Sequence, residues 1–180
     1  MKKLFITTMT ALMFSVFTNA QSGLNIGFSI GFPYETYDFN DYSFAFNGDI
    51  NYLFEVSPAF DLGIATGYGY VFGSSYDYYV GPILGWVTYD SPDYQYVPTA
   101  AAFRLKANSR LTFGADIGYA ISVSSEKDPL GFEYSGGFYW RPMVGFNMNE
   151  RLQLNFNYIG ISEEYFYYSA FNLGLTVNIN

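Results

Sequence analysis

Hydrophobic side chains alternate with small or polar ones, position by position, between Tyr42 and Phe72. The even positions are mostly aromatic or branched aliphatic, whereas the odd positions are mostly Gly, Ala, Ser and Asn with a few carboxylates. A period of two that continues on both sides of Ser57-Pro58 predicts two long β-strands joined by a tight turn. The bulky face carries no charge. We therefore expect it to face hydrocarbon while the small face lines a crowded lumen, as in transmembrane β-barrels.

The same alternation recurs along the rest of the chain and predicts eight strands in all. Their expected ranges are about 22–34, 42–56, 60–72, 95–106, 111–122, 134–148, 152–158 and 167–179. The connections alternate between long and short, beginning and ending with a long one, as expected for an up-and-down antiparallel barrel with short periplasmic turns. The predicted fold class is therefore all-β, an eight-stranded antiparallel up-and-down transmembrane β-barrel. Pro142 lacks a ladder N–H, so we expect a bulge or local unpairing there.

The longest predicted connection, residues 73–94, is rich in aromatic side chains. A loop of this length is usually functional or lacks regular structure. One interpretation is a hairpin that only protects the barrel rim; the other is a contact site for a ligand or partner. The candidate contact residues are Tyr76, Tyr78, Tyr79, Trp86, Tyr89 and Tyr94.

Residues 1–20 differ from the rest of the sequence. Lys2 and Lys3 precede an apolar run, and small residues surround Ala20, a pattern typical of a secretory signal peptide cleaved after Ala20. The run is shorter than the roughly 20 residues that a spanning helix needs, which disfavours a transmembrane anchor. A lipid anchor is not expected because the chain has no Cys. The predicted domains are thus a signal peptide, 1–20, and a barrel, 21–180.

Charge and composition exclude several classes of function. Removing Lys2 and Lys3 leaves 6 basic residues against 16 acidic ones, which argues against nucleic acid as a partner. The absence of His and Cys removes the usual acid–base groups and thiolate ligands, so we expect no enzyme activity, no cofactor and no metal site. Aromatic residues make up 22% of the chain, and amphipathic rings suit the two interfaces of a membrane. Most carboxylates fall in the predicted long loops.

A few charged residues occupy positions on the small, inward face. Counting from the tight turns groups some of them near the periplasmic end and others in a second layer. The first group is Glu55, Asp61, Arg104 and Lys106, and the second is Asp49, Asp116 and Arg141. They either form ion pairs that fill the lumen or serve conduction and gating; eight strands leave little room for the latter.

Over its predicted mature length the chain resembles the small eight-stranded outer-membrane barrels of the OmpA transmembrane-domain and OmpX type. The resemblance consists of the leader, the eight alternating segments and the asymmetry of loop length. It implies the outer membrane of a Gram-negative bacterium, contact with outer-membrane lipid and lipopolysaccharide, and assembly by the barrel assembly machinery. The chain ends in Ile179-Asn180, whereas members of this family commonly end in an aromatic residue.

The expected function is an integral outer-membrane protein with a filled polar lumen and a structural or surface-contact role through acidic, Tyr-rich extracellular loops. A narrow channel for small solutes or ions is the alternative within the membrane class. Outside that class, a secreted soluble β-barrel could bind an apolar ligand, which would require the aromatic face to line the lumen.

Overall fold

The computed structural model describes residues 22–36, 42–82, 85–124, 134–164 and 167–179. The predicted signal peptide, 1–20, lies outside these residues, so its cleavage stays a prediction. All regular structure in the described part is β. The strands are β1 (Ser22–Thr36), β2 (Tyr42–Ser57), β3 (Phe60–Gly73), β4 (Ser75–Gly81), β5 (Gly85–Asp90), β6 (Tyr94–Lys106), β7 (Leu111–Ser122), β8 (Gly137–Asn147), β9 (Leu152–Ser162) and β10 (Tyr167–Asn178).

Eight of these strands close into an antiparallel barrel, in the order β1-β10-β9-β8-β7-β6-β3-β2. Pairing of Ile26 in β1 with Val177 in β10 and with Ile50 in β2 closes the ring. Strands β4 and β5 form a separate two-stranded sheet, the outer hairpin, inserted between β3 and β6. The predicted fold class, an eight-stranded antiparallel barrel, is confirmed.

Several strand ends differ from the prediction. β1 continues to Thr36 and β9 to Ser162, while β8 begins only at Gly137. β9 is longer because Ile159 and Ile161 are buried in the lumen, which gives its second half a core to pack against. At Pro142 the ladder between β8 and β9 is interrupted from Trp140–Gly160 to Met143–Asn157 without a change of register. The irregularity is local unpairing, as the missing N–H requires.

The outward face of the barrel is apolar and aromatic. Ile26, Phe28, Ile64, Leu173 and Leu175 are among the large hydrophobic side chains that remain substantially exposed. The interpretation as a soluble barrel with its aromatic face turned inward is therefore wrong. The described residues contain no apolar helix of membrane-spanning length.

Outward tyrosines near the long-loop end direct their hydroxyl groups to polar partners. Tyr68 donates to Gln95 Oε1 at 2.6 Å, Tyr70 donates to Asp93, and Tyr119 donates to the Gly136 carbonyl at 2.9 Å. Such side chains have an apolar body and a polar tip, which is the arrangement that suits a membrane interface.

The inward face changes character from one end of the barrel to the other. Along β6, the buried positions run from Tyr94 and Tyr96 at the long-loop end through Ala100 and Ala102 to Arg104, with the partly exposed Lys106 at the short-turn end. The prediction of a filled lumen holds for the half next to the long loops, but the filling there is mostly aromatic and aliphatic, so the prediction of a polar lumen is wrong for that half.

Candidate functional site

Six tyrosines, which we call the tyrosine layer, occupy the long-loop half of the lumen. They are Tyr42, Tyr94, Tyr96, Tyr134, Tyr139 and Tyr168. Their rings contact one another, with centroids 5.6 Å apart for Tyr94–Tyr96 and 6.2 Å apart for Tyr96–Tyr168. Ala45, Val71, Ile159 and Ile161 pack around them. The layer is a hydrophobic core built inside a barrel.

Small residues make room for this core and for the long basic side chains below it. A Cβ atom on Gly69 would lie 2.3 Å from Cζ of Tyr96, and one on Gly114 would lie 2.8 Å from Cδ of Arg104. Glycine usually weakens a strand because it has no side chain to pack. In this barrel, the missing side chain leaves room for a side chain from a neighbouring strand.

A chain of four charged residues, which we call the ion network, crosses the middle of the lumen. Asp116 is fully buried and accepts from Arg104 Nη1 at 2.6 Å and from Arg141 Nη2 at 2.5 Å. Arg141 Nη1 donates in addition to Asp49. Two cations and two anions alternate, so the network is neutral and each buried charge has an opposite partner, as burial demands.

The predicted periplasmic cluster is divided by the structure. Glu55 lies directly opposite Asp61, and Lys106 Nζ lies 3.9 Å from the Glu55 carboxylate and 2.8 Å from that of Asp61. Arg104 does not join them. Its direct neighbour on β7 is Gly114, and the space above that glycine lets the guanidinium extend to Asp116. The grouping of Arg104 with Lys106 was therefore wrong, whereas Asp49, Asp116 and Arg141 do lie together.

Asparagines connect the layers. Asn47 accepts from the Tyr96 hydroxyl at 2.7 Å and donates to Asn172 Oδ1 at 2.9 Å, just above the ion network. Nearer the short turns, Asn25 donates to Asn51 and accepts from Asn178, both at 3.1 Å. Carboxamides can donate and accept at once, which is why they can bridge neighbouring strands inside a barrel.

Below the ion network the lumen opens into a cavity of about 780 Å³, the turn-end cavity. Asp49, Arg104 and Arg141 form its inner end, and the short turns form its mouth. None of the tyrosine layer lines it. In the part of the chain that the structure describes, the cavity ends at the ion network and does not cross the barrel.

The outer hairpin places only part of the predicted contact set at the surface. Tyr79 and Trp86 are exposed, with ring centroids 5.5 Å apart. Tyr94 is wrong as a contact residue: its side chain is fully buried in the tyrosine layer and its hydroxyl donates to Glu163 at 2.9 Å. The side chains of Tyr76, Tyr78 and Tyr89 lie outside the described residues.

Sequence reasoning missed the tyrosine layer, although a signal for it existed. Tyr94 and Tyr96 have the same parity as Arg104 and Lys106, which were placed inward. Extending that parity to the start of β6 would have brought both rings into the lumen. Tyr139 has the same relation to Arg141 on β8.

The charged side chains of the lumen pair mainly with one another. Among the described residues, no group of three or more carboxylates is placed to hold a metal ion. The buried carboxylate of Asp116 is neutralised by arginines and that of Asp61 by Lys106, and neither is paired with a nucleophile. The arrangement can narrow or close the lumen. It also makes the two ends chemically different, with aromatic side chains at the long-loop end and a cavity with basic side chains at the short-turn end.

Comparisons with known proteins identify a shared fold but no matching family. No family model matches the sequence, and no curated protein matches it. Among solved structures, Ail, the attachment invasion locus protein of Yersinia pestis, has a TM-score of 0.53 at 12% identity, over 88% of this chain and 97% of that protein.

Two further structures give the same result. The N-terminal β-barrel domain of Pseudomonas aeruginosa OprF has a TM-score of 0.53 at 14% identity, over 89% of this chain and all 100% of that domain. Ail in complex with the heparin analogue sucrose octasulfate has a TM-score of 0.51 at 15% identity, over 89% of this chain and 99% of that one. At these identities the likeness is one of fold: this chain has the fold of the small eight-stranded outer-membrane barrels.

Proposed function

We propose that this chain is an integral protein of the Gram-negative outer membrane, not an enzyme, with a closed lumen and a surface-contact role at its long-loop end. The observation that carries the proposal is the lumen's cross-section, filled by the tyrosine layer and by the ion network beneath it. Under this proposal the two layers leave solutes no route across the barrel. Function therefore falls to the barrel ends, and the outer hairpin presents an aromatic pair at one of them.

The apolar outward face supports the membrane part of the proposal. Contiguous apolar surface this large needs a non-aqueous partner, and the surrounding lipid and lipopolysaccharide of an outer membrane provide it. Folding into that membrane would use the barrel assembly machinery.

Membrane insertion predicts heat-modifiable migration. We expect the expressed protein to fractionate with outer membranes and to migrate differently on SDS gels before and after boiling, because a closed barrel resists SDS until heated. Comparison of boiled and unboiled membrane fractions measures this. A protein recovered in the soluble fraction with one mobility would contradict it.

The negative charge of the outer hairpin indicates which kind of partner would bind there. Asp77 and Asp90 are exposed, and Thr88 Oγ1 donates to Asp77 at 2.6 Å beside the Tyr79–Trp86 pair. The described hairpin residues contain no Lys or Arg. An aromatic pair among carboxylates favours a basic, partly apolar surface and disfavours polyanions such as the sucrose octasulfate bound to Ail.

Trp86 offers a direct measurement of such contact. In a Trp140→Phe protein, Trp86 is the one remaining tryptophan, so its emission reports on the outer hairpin alone. We expect a cationic peptide of alternating Lys and Leu to change this emission at low salt, with the effect weakening as salt screens the carboxylates. Sucrose octasulfate should leave it unchanged.

The matched control is Asp77→Asn combined with Asp90→Asn, which keeps the aromatic pair but removes two charges. That variant should bind the peptide severalfold more weakly. Equal response to the peptide and to the polyanion would reject the proposed partner chemistry without affecting the membrane assignment.

A further inference from the structure

The turn-end cavity gathers nearly all of the basic side chains of the barrel domain. Five of the six basic residues after residue 20 line it, namely Arg104, Lys106, Arg110, Arg141 and Arg151. Three of them form ion pairs with carboxylates. Arg104 and Arg141 do so in the ion network, and Lys106 pairs with Glu55 and Asp61. Arg110 and Arg151 are exposed, and neither guanidinium makes an ion pair or hydrogen bond with any described residue. Two cations are thus available at the mouth.

The two free arginines are held by turns of the same construction. Asn108 Oδ1 accepts from the backbone N–H groups of Arg110 and Leu111, and Asn149 Oδ1 accepts from those of Arg151 and Leu152, all at 2.8–2.9 Å. Asn147 of β8 lies between them, since its N–H donates to the Arg110 carbonyl. The turns therefore set the two arginines about two strand spacings apart, roughly 10 Å, on the lumen side.

A second set of unpaired polar atoms lies deeper in the same cavity. Ser29 Oγ, Asn155 Oδ1 and Asn157 Oδ1 are buried and have no hydrogen-bond partner among the described residues. These three side chains are only 3%, 7% and 5% exposed, and all three line the cavity. Gly174 lies between Ser29 and Asn155 in the register, so no side chain separates them. Buried polar groups left without a partner are costly. These oxygens lie in the cavity wall with almost no accessible surface, and a ligand that supplies partners gains affinity when their side chains rotate toward it.

We propose that the turn-end cavity binds a small phosphate ester of a polyol. Its phosphate lies between Arg110 and Arg151, and its hydroxyl groups reach Ser29, Asn155 and Asn157. Guanidinium groups match phosphate oxygens through paired, charge-assisted hydrogen bonds. Hydroxyl groups both donate and accept, so they suit a wall of Ser and Asn side chains.

The dimensions of the cavity fit this ligand. Arg151 directly precedes β9, and Asn155 on β9 is four residues further along, roughly 13 Å in the strand direction. An arginine side chain and a three-carbon phosphate ester together span that distance. Outside the ion network, three carboxylates of the lining oppose an anion: Glu55 and Asp61, which share Lys106, and Glu150. Lys106 offsets part of the first pair, and Glu150 faces two guanidiniums with five donors each. Such a phosphate ester could be free in the periplasm or could be the glycerophosphate head of an inner-leaflet lipid.

The test titrates ¹⁵N-labelled protein in a zwitterionic detergent with glycerol 3-phosphate, inorganic phosphate or glycerol, following the amide signals of Gly145 and Gly174. We expect glycerol 3-phosphate to bind more tightly than phosphate, and glycerol not to bind measurably. In the Arg110→Gln/Arg151→Gln protein, the dissociation constant of glycerol 3-phosphate should rise at least about tenfold. Lys127→Gln neutralises the one other basic residue of the domain and should leave the dissociation constant of glycerol 3-phosphate unchanged.

Ser29→Ala separates the two halves of the site. It should weaken glycerol 3-phosphate about threefold to tenfold and leave inorganic phosphate unaffected. Both arginines are exposed and unpaired, so the double variant should retain the wild-type gel mobilities before and after boiling. Equal affinity of the double variant and the wild type would overturn the proposal, as would equal affinity for glycerol 3-phosphate and phosphate.

The source of the ligand is distinguished in nanodiscs. If the phosphate ester is a lipid headgroup, phosphatidylglycerol in a phosphatidylcholine disc should raise the apparent dissociation constant of added glycerol 3-phosphate by competition. If the ligand is free in the periplasm, both discs should give one constant. Either result is compatible with the site and assigns its source, and neither depends on the contact role of the outer hairpin.

Discussion

Arg141→Met is expected to lower the free energy of unfolding by roughly 3–5 kcal/mol, the cost of breaking a buried charge pair by removing one partner. The substitution keeps an unbranched side chain of similar length but leaves Asp49 without its arginine and Asp116 with Arg104 alone. Urea unfolding of protein folded in phospholipid vesicles, followed by tryptophan emission, measures the loss.

Arg110→Met is the matched control, because it removes the same charge from an exposed, unpaired position at the barrel mouth. Its free energy of unfolding should change by no more than about 0.5 kcal/mol. Adding Asp49→Asn to Arg141→Met should cost less than the two single losses together, since the second change removes the orphaned charge. Comparable losses for Arg141→Met and Arg110→Met would mean that the ion network contributes no more than a surface arginine.

The sequence predicted some ion pairs of this network but not the one made by Arg104. The reason is the space that a neighbouring glycine leaves beside that arginine. Asp116 and Arg141 are about equally far from the middle of the connection between their strands, and they do lie directly opposite each other in the β7–β8 register. Counting along strands also grouped Arg104 with Asp61 at one depth, and in the register the two residues are direct neighbours. The side chain nevertheless turns away toward Asp116, because Gly114 leaves space on that side and Lys106 already binds Asp61.

Alternation therefore specifies which face a side chain occupies but not which way along the barrel axis it points. A long, flexible cation can reach the row above or below its own, and the choice depends on where neighbouring strands lack side chains. Paired strand ladders and the direction of their faces were predictable because both follow from the period of two. The turn-end cavity was not, since it results from several such choices made together.

The tyrosine layer illustrates a different limit. The alternation predicts that the bulky apolar face of each strand lies against lipid, but it does not predict aromatic rings on the opposite face. Tyr94, Tyr96 and Tyr139 occupy the opposite parity, and their rings pack inside while the Tyr96 hydroxyl is satisfied by Asn47. Tyrosine can serve either side of a barrel wall, so residue type alone does not identify its face; strand parity does.

Tyr96→Ala should cost roughly 3–5 kcal/mol of unfolding free energy, because it deletes a fully buried ring at the centre of the tyrosine layer. Tyr96→Phe keeps the ring and removes only the hydrogen bond to Asn47, so its loss should be smaller, roughly 1–3 kcal/mol. The vesicle unfolding assay used for Arg141 measures both losses. Equal losses in Tyr96→Ala and Tyr96→Phe would mean that the hydroxyl, rather than ring packing, holds the layer together.

Planar-bilayer recording of the same proteins tests how the lumen is closed. We expect no discrete conductance steps from the wild type, and none from Tyr96→Ala, because in the proposed closed lumen the ion network forms a second barrier below the lost ring. Steps in the wild type would support the narrow-channel alternative. Steps in Tyr96→Ala alone would show that the tyrosine layer is the sole barrier and that ions pass the Asp116–Arg141 pair.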